Sequence, residues 1–475
     1  MRKGRSCRAV SEPSERKLTT RIGRREFMGA VAAAAVAGCV STSRTSSDSG
    51  RRPNVIIILL DDLGYADLGC QGISRDVETP NIDSLARSGV RFASAYSTAP
   101  VGSPARAALL TGRYQQRFGH EHNPGNLAGQ VKLGIGLPPS EFTLGRILKD
   151  HGYATGIIGK WHLGAGEKQH PLTRGFEEFF GFLGGTHSYT TWDDITWGPI
   201  YRGMAAALGE EYLTDAFSRE AVSFVKRHRR GPFFLYLAYN ALRVPLEAPP
   251  EYLSRFPHIR EESRRTLLAM LSAADDGIGR LLAALRESDL DGDTLIFVLS
   301  DNGGDPDGNA SSNTPLRGGR GTLYEGGIRV PFILRRPGGP TGIVYDEPIS
   351  TLDVLPTVLS ATGSGPPRGR VFDGVNLLPY LTEGRGRKPH DTLYWRLGEN
   401  FAVRIGEWKL VRSGRPVAAL YKLSEDPGET RDLSEAQPKI VKALAADYAR
   451  WQAQMIEPLW TLAPPGAEPP RRNTR

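Results

Sequence analysis

The sequence predicts an α/β protein in which a mostly parallel sheet is sandwiched by helices. Four short segments, Asn54 to Leu60, Thr155 to Gly159, Phe233 to Tyr239 and Thr294 to Ser300, are β-rich and apolar almost throughout, the pattern of strands buried on both faces. Helical patterns lie between them, and strands alternating with helices call for a sheet covered on both sides. The 437 residues after Gly38 exceed one ordinary domain and suit a large domain with a smaller one appended.

Residues 1–38 stand apart from the fold as an export signal. Gly23-Arg24-Arg25-Glu26-Phe27-Met28 has the twin-arginine pattern, and Ala30 to Ala37 is an apolar run too short to span a bilayer. Val36-Ala37-Gly38-Cys39 reads as a bacterial lipobox, with cleavage before Cys39 and a lipid on its sulfur as the chain's only membrane attachment. Residues 39–52, rich in Ser, Thr and Arg, form a flexible tether. These expectations place the protein in a bacterial cell envelope, facing the periplasm or the cell surface. The signal holds nine Lys or Arg against three acidic residues, so it carries six of the eight net positive charges. The remaining chain gives no electrostatic support for nucleic-acid binding. With Cys7 in the signal and Cys39 acylated, only Cys70 remains, which excludes an intrachain disulfide.

Three helices are legible between the strands. Thr79-Pro80 offers a cap and a first-turn proline for a helix running to Ser88, and Ser140 caps a stretch from Glu141 to His151. Leu267, Leu271, Ala274, Ile278, Leu281 and Leu285 recur at steps of three and four, which puts one apolar stripe on a long helix.

Each strand is followed by polar groups: Asp61-Asp62, Lys160-Trp161-His162, Asn240-Ala241-Leu242-Arg243 and Asp301-Asn302. Ligands of open α/β sheets gather beyond the carboxyl ends of the strands, so these four groups should converge on one cleft. Asp61, Asp62, Asp301 and Asn302 offer only oxygen ligands, which suits a hard cation, Ca²⁺ or Mg²⁺, rather than zinc.

The segment Gly102-Ser103-Pro104-Ala105-Arg106, leading into Thr111-Gly112-Arg113-Tyr114, closely resembles the signature of the formylglycine-dependent sulfatases, arylsulfatase-like members of the alkaline-phosphatase superfamily. The likeness extends over most of residues 53 to 435 through Asp62-Leu63-Gly64-Tyr65, Gly159-Lys160-Trp161-His162-Leu163-Gly164, Asn313-Thr314-Pro315-Leu316-Arg317-Gly318 and Glu325-Gly326-Gly327-Ile328-Arg329. Towards the end, Trp408-Lys409-Leu410 and Asp426-Pro427-Gly428-Glu429 resemble the family's smaller C-terminal α+β domain with its short antiparallel sheet. The resemblance implies a catalytic-type domain over 53–365 and the smaller domain over 366–475. It also implies a divalent cation, usually calcium, on Asp61, Asp62, Asp301 and Asn302, catalytic roles for Arg106, Lys160 and His162, and sulfated carbohydrates or aryl sulfate esters as partners.

Three positions depart from that pattern. The family carries a Cys or Ser, oxidised to the catalytic aldehyde, where this chain has Gly102; glycine has no side-chain carbon to oxidise, so formylglycine cannot form there. Arg243 stands where the family has a His that protonates the leaving group, and Arg320 where a sulfate-binding Lys is usual. Arginine grips an oxyanion by two hydrogen bonds but stays protonated near neutral pH and is a poor proton donor. These changes predict substrate-binding roles for Arg243 and Arg320 and a sulfuric ester hydrolase fold impaired in conventional formylglycine chemistry, with a non-hydrolytic, sulfated-glycan-binding relative as the alternative. Ser103 reads as an N-cap ahead of Pro104, with its hydroxyl occupied by backbone N–H groups rather than free to attack. His120 and His122 show no partner pattern, and His187 either lines the cleft or packs in a loop.

Overall fold

The computed structural model describes residues 52–194, 196–382 and 388–461. The signal, Cys39 and all of the tether but Arg52 lie outside the described residues. Ten strands make the main sheet: β1 (Asn54–Leu60), β2 (Val90–Phe92), β3 (Ala154–Lys160), β4 (Glu178–Phe182), β5 (Tyr201–Arg202), β6 (Ala205–Ala206), β7 (Phe233–Ala238), β8 (Thr294–Ser300), β9 (Phe332–Arg335) and β10 (Ile343–Tyr345). Their spatial order is β10-β2-β9-β8-β1-β7-β3-β4-β5-β6. The five central strands, from β8 through β1, β7 and β3 to β4, run parallel. Antiparallel pairings of β9, β5 and β6 extend the margins.

All seven residues of β1 are buried, which is why it reads as a continuous apolar run. Successive side chains alternate between two cores. Val55, Ile57 and Leu59 face one side, and Ile56, Ile58 and Leu60 the other. The helices that cover these faces include α1 (Pro80–Arg87), α2 (Gly102–Thr111), α3 (Leu144–Asp150), α4 (Leu213–His228), α5 (Glu262–Glu287) and α6 (Val354–Thr362). Helices α2, α3 and α6 pack on the first face; α1, α4 and α5 pack on the second. The stripe from Leu267 to Leu285 is buried along α5 as its spacing predicts. Each buried Leu or Ile there contributes about 1.5–3 kcal/mol, so a charge at Leu271 or Ile278 would destabilise the packing of the helix by at least that much.

The helix starts differ in detail from the sequence reading. Thr79 is the N-cap of α1, yet its hydroxyl bonds Asp83 at 2.9 Å and the Gly69 N–H instead of capping. Helix α3 is capped by Thr143, whose hydroxyl accepts the Arg146 N–H, not by Ser140. Glu141, one residue beyond Ser140, lies outside the helix and pairs with Arg113 and Arg370.

Four antiparallel strands, β11 (Thr392–Leu397), β12 (Asn400–Ile405), β13 (Trp408–Arg412) and β14 (Ala419–Lys422), make a separate C-terminal sheet. One face packs Trp395, Ala402, Val411 and Tyr421 against Tyr96, Leu323, Tyr324 and Ile328. The other takes Leu444, Tyr448 and Trp451 of α7 (Pro438–Gln452).

Candidate functional site

Parallel pairing decides where the site forms. Leu60 of β1 lies opposite Ser300 of β8, so the chain delivers Asp61 and Asp301 side by side just past the strands. The Asp61 N–H donates to the Ala241 carbonyl at 2.8 Å and the Leu242 N–H to the Asp61 carbonyl at 2.6 Å, which brings the end of β7 to the same place. Strand β3 ends on Lys160, one residue beyond the apolar run from Thr155 to Gly159. Gly159 precedes it with φ 107°, where a Cβ would lie 2.0 Å from the Ala238 carbonyl oxygen. Only glycine allows that approach.

The polar ends meet as ion pairs. Lys160 Nζ and Arg106 Nη2 approach Asp61 at 2.5 and 3.4 Å, and Arg106 Nε donates to Asp301 at 2.9 Å. Asp62 receives Arg243 Nη1 at 2.7 Å, Arg320 Nε at 3.2 Å and the Asn302 amide at 2.6 Å. Exposure divides the four cations into two tiers. The side chains of Lys160 and Arg106 are 2% and 0% exposed, whereas those of Arg243 and Arg320 reach 19% and 21%. The first pair is enclosed at the bottom of the cluster; the second reaches solvent.

Electrostatics follow from this burial. Burial alone would raise the Asp61 carboxyl, but Lys160 and Arg106 outweigh it and hold Asp61 well below the usual carboxylate range. Asp301 is pushed up to about 7 by burial and by the neighbouring Asp61 charge, against the pull of Arg106. Lys160 comes down to about 8, burial outweighing Asp61. His162 is driven far below its usual range by burial, with Lys160 and Arg106 adding repulsion, so its imidazole is neutral. Arg243 remains a fixed cation because Asp62 and Asp61 overcome its desolvation.

Asp61, Asp62 and Asp301 each offer an oxygen, and these lie within 4.8 Å of one another. The Asn302 Oδ1 beside them is buried without a partner. Three carboxylates and an orphaned amide oxygen fit a hard cation, and they are the four residues the sequence reading selects. Asp62 has φ 56° and His162 φ 62°, left-handed conformations that cost a non-glycine residue about 1–2 kcal/mol and tend to persist where a site demands them.

Gly102 opens α2 behind an extended Val101, and the direction of its absent side chain is informative. A Cβ built there would lie 2.9 Å from Asp301 Oδ2, 3.5 Å from His162 Nδ1 and 3.8 Å from Arg106 Nε. Position 102 therefore points into the centre of the cluster. Ser103 turns away from it. It is not the N-cap; its hydroxyl donates to the His162 carbonyl at 2.6 Å and lies 2.7 Å from His120 Nε2. A hydroxyl has one proton, so His120 supplies the N–H of the second contact and no base is left to activate Ser103. Burial brings the His120 ring down to about 3, which keeps it neutral. His122 is buried with Nδ1 unpartnered, and His187 packs in its loop, bonded to the Ser188 and Gly198 carbonyls.

Some supporting residues are visible only in three dimensions. Asn309 ties the Asp62 and Leu242 carbonyls together, and Ser97 bonds the Asp301 carbonyl. Asn313 accepts from the Tyr65 and Gly304 N–H groups and donates to the Gly304 and Gly318 carbonyls. Nothing in their local sequence marks Asn309 or Ser97 as different from ordinary loop residues.

Comparison with known proteins agrees with this architecture. The family model described as Sulfatase matches residues 53–364. The chain is 36% identical over 380 residues to N-acetylgalactosamine-6-sulfatase of Sus scrofa, covering 75% of this chain and 71% of that protein. It is 33% identical to the Homo sapiens N-acetylgalactosamine-6-sulfatase over 454 residues, 84% and 85% of the two chains. Among solved structures it resembles Ps i-CgsB in complex with k-i-k-neocarrahexaose, with a TM-score of 0.81, 35% identity and coverage of 86% and 95%. It also resembles the PsFucS1 sulfatase from Pseudoalteromonas sp., with a TM-score of 0.73, 26% identity and coverage of 85% and 91%. On the strength of the matched family model, these identities and the sheet that carries the cluster, the chain belongs to the sulfatase family.

Proposed function

We propose that this protein is an envelope-anchored member of the sulfatase family that holds sulfate esters of glycans, or aryl sulfates, in the cleft above Asp61, Asp62 and Asp301, and that its conventional formylglycine hydrolysis is impaired. The observation that carries this reading is the direction of position 102: the side chain that would supply the nucleophile points at Asp301, His162 and Arg106, and the residue there is glycine. Relatives named for N-acetylgalactosamine-6-sulfatase activity and a neighbour bound to neocarrahexaose support a sulfated carbohydrate as the ligand.

Asp61, Asp62, Asp301 and Asn302 would hold a divalent cation, calcium in our reading, with magnesium the alternative. When bound, such a cation screens charge between the carboxylates and an incoming sulfate. The protein's own groups divide the remaining work. Arg243 and Arg320, partly open to solvent, bind and orient the sulfuryl oxygens, each able to present two parallel N–H donors. Arg106 and Lys160 hold Asp301 and Asp61 in place and contribute fixed positive potential beneath the anion. His162, neutral and unpartnered at Nδ1, faces position 102. No group among the arginines can donate a proton to a leaving alcohol at neutral pH, which favours binding over turnover.

The deciding experiment titrates calcium-loaded protein with a panel of sulfated mono- and oligosaccharides and, in parallel, follows release of sulfate from the same panel and from activated aryl sulfates. Binding without appreciable sugar-sulfate hydrolysis is expected; rapid hydrolysis of a sugar sulfate would overturn the impaired reading.

A further inference from the structure

Arg320 sits on the segment between Arg317 and Gly326, and this segment is held from two sides. Towards the cleft, the Arg320 N–H donates to the Gly304 carbonyl at 2.8 Å, and the Gly321 N–H to the Pro100 carbonyl at 2.8 Å, two residues ahead of Gly102. Towards the C-terminal sheet, its other contacts go to residues far along the chain. The Arg317 guanidinium donates to the Glu429 carbonyl at 3.0 Å and the Tyr421 hydroxyl at 3.2 Å, while lying 4.1 Å from the centre of the Tyr324 ring. The Leu323 N–H donates to the Ser413 hydroxyl at 3.0 Å, and the Glu325 N–H to Glu429 Oε2 at 2.6 Å. The Gly326 N–H closes the base of the loop on the Arg317 carbonyl at 2.8 Å.

At the root of the loop lies a fully buried ion cluster. Lys409 Nζ of β13 is 2.9 Å from both Glu325 Oε1 and Glu429 Oε1, and all three side chains are 0% exposed. Tyr96 donates to the remaining Glu325 oxygen at 2.6 Å. A buried cation between two carboxylates is weak evidence of net stabilisation, since apolar side chains would serve as well, but it fixes geometry tightly because each partner stranded alone is costly. Glu429 also holds φ 53°, which the surrounding contacts impose. We infer that Glu429 and Lys409 of the C-terminal sheet region are positioning residues for the anion site: they clamp the loop from Arg317 to Glu325 so that the Arg320 guanidinium is presented at Asp62. The smaller sheet thereby completes the sulfate pocket without contributing a residue that touches the ligand.

This inference rests on the reading of Arg320 as an anion ligand, and the test separates the two. Glu429→Gln keeps the size and an acceptor for the Glu325 N–H but gives Lys409 an uncharged neighbour. A freed Arg320 has effects of opposite sign on two probes. Inorganic sulfate titrated into calcium-loaded protein should bind about ten- to a hundredfold more weakly, the worth of one charged hydrogen-bonding group. Calcium titrated into sulfate-free protein should bind more tightly, because Asp62 loses a competing cation. In an Arg320→Gln background Glu429→Gln should change neither affinity further, the signature of two residues acting as one. Hydrogen exchange at Arg320 and Gly321, which needs no ligand, should accelerate while the amides of β1 and β8 stay protected. Arg317→Met, which spares the ion cluster, should reproduce these effects if Glu429→Gln does not fold. Unchanged exchange and affinities in folded Glu429→Gln would overturn the positioning role, as would equal weakening of both probes, which is what general loosening produces. Wild-type protein that ignores sulfate would sink the anion-site reading instead, leaving exchange and calcium affinity to judge the clamp.

Discussion

Replacing Gly102 by Cys isolates the contribution of the missing side chain. Its φ lies outside the left-handed region, so the backbone accepts a side chain, and the new Cβ meets Asp301 Oδ2 at 2.9 Å. That oxygen must retreat by a few tenths of an ångström while keeping Arg106, an over-packing cost of about 1 kcal/mol. Losing glycine's freedom in the unfolded chain returns about 0.4–1 kcal/mol. The variant should therefore fold with nearly unchanged denaturation, and its thiol should face His162 and Arg106. Oxidation to formylglycine, verified by mass spectrometry, would restore a nucleophile, yet Arg243 would still be unable to protonate a leaving alcohol. A positioned acid is worth ~10²–10⁴-fold in rate, so sugar sulfates should remain slow by about that factor. Activated aryl sulfates, which leave without protonation, should gain most. The comparison is with the triple variant Gly102→Cys, Arg243→His, Arg320→Lys on both substrate types. If the single variant hydrolyses sugar sulfates as fast as the triple one, Gly102 is the sole defect and neither Arg243 nor Arg320 limits turnover.

Three other outcomes are expected. Isothermal calorimetry should find calcium or magnesium binding that Asp301→Ala weakens at least tenfold, since it removes one of three closely set carboxylates; identical affinity in the variant would remove Asp301 from the cation site. His390 sits 2.7 and 2.9 Å from the two Asp353 oxygens, and although burial opposes its charge, Asp353 raises it above its usual 6.5. Its stabilising contribution is thus fully present below pH 6.5 and lost as pH rises through the folded-state value, so denaturation midpoints should fall across that range in the wild type and fall less in His390→Gln; parallel pH profiles would refute this. Intact-mass analysis of membrane-extracted protein should find a chain beginning at a lipid-bearing Cys39, whereas a water-soluble chain retaining residues before 39 would rule out the anchor.

Much of the site was legible because its residues sit at places where local pattern and topology coincide. A strand buried on both faces is apolar almost throughout, so Asn54–Leu60 and Thr294–Ser300 announce themselves, and the polar residues that follow them lie at the sheet's carboxyl edge. The placing of Asp61, Asp62, Asp301 and Asn302 at one edge followed from that alone, and their all-oxygen donor set is one that suits a hard cation. Caps were less legible. Ser140, Thr143, Ser103 and Thr79 are all competent capping residues, and which hydroxyl caps depends on what else competes for it. Ser103 is claimed by His120 and the His162 carbonyl, residues that come near it only after folding.

The sequence by itself determined the strand-and-helix alternation, the four groups converging on one cleft and the absence of any oxidisable side chain at position 102, because each depends on residue type and spacing over a short stretch. Only the tertiary structure decided that Arg243 and Arg320 share Asp62, that Arg106 and Lys160 are buried where those two are partly open to solvent, and that Glu429 and Lys409, more than eighty residues further along the chain, meet Glu325 at the base of the loop bearing Arg320. Pairings between distant charges are set by how the sheet and its appended partner pack, and charge attraction is non-specific until burial and hydrogen-bond geometry select one partner from many.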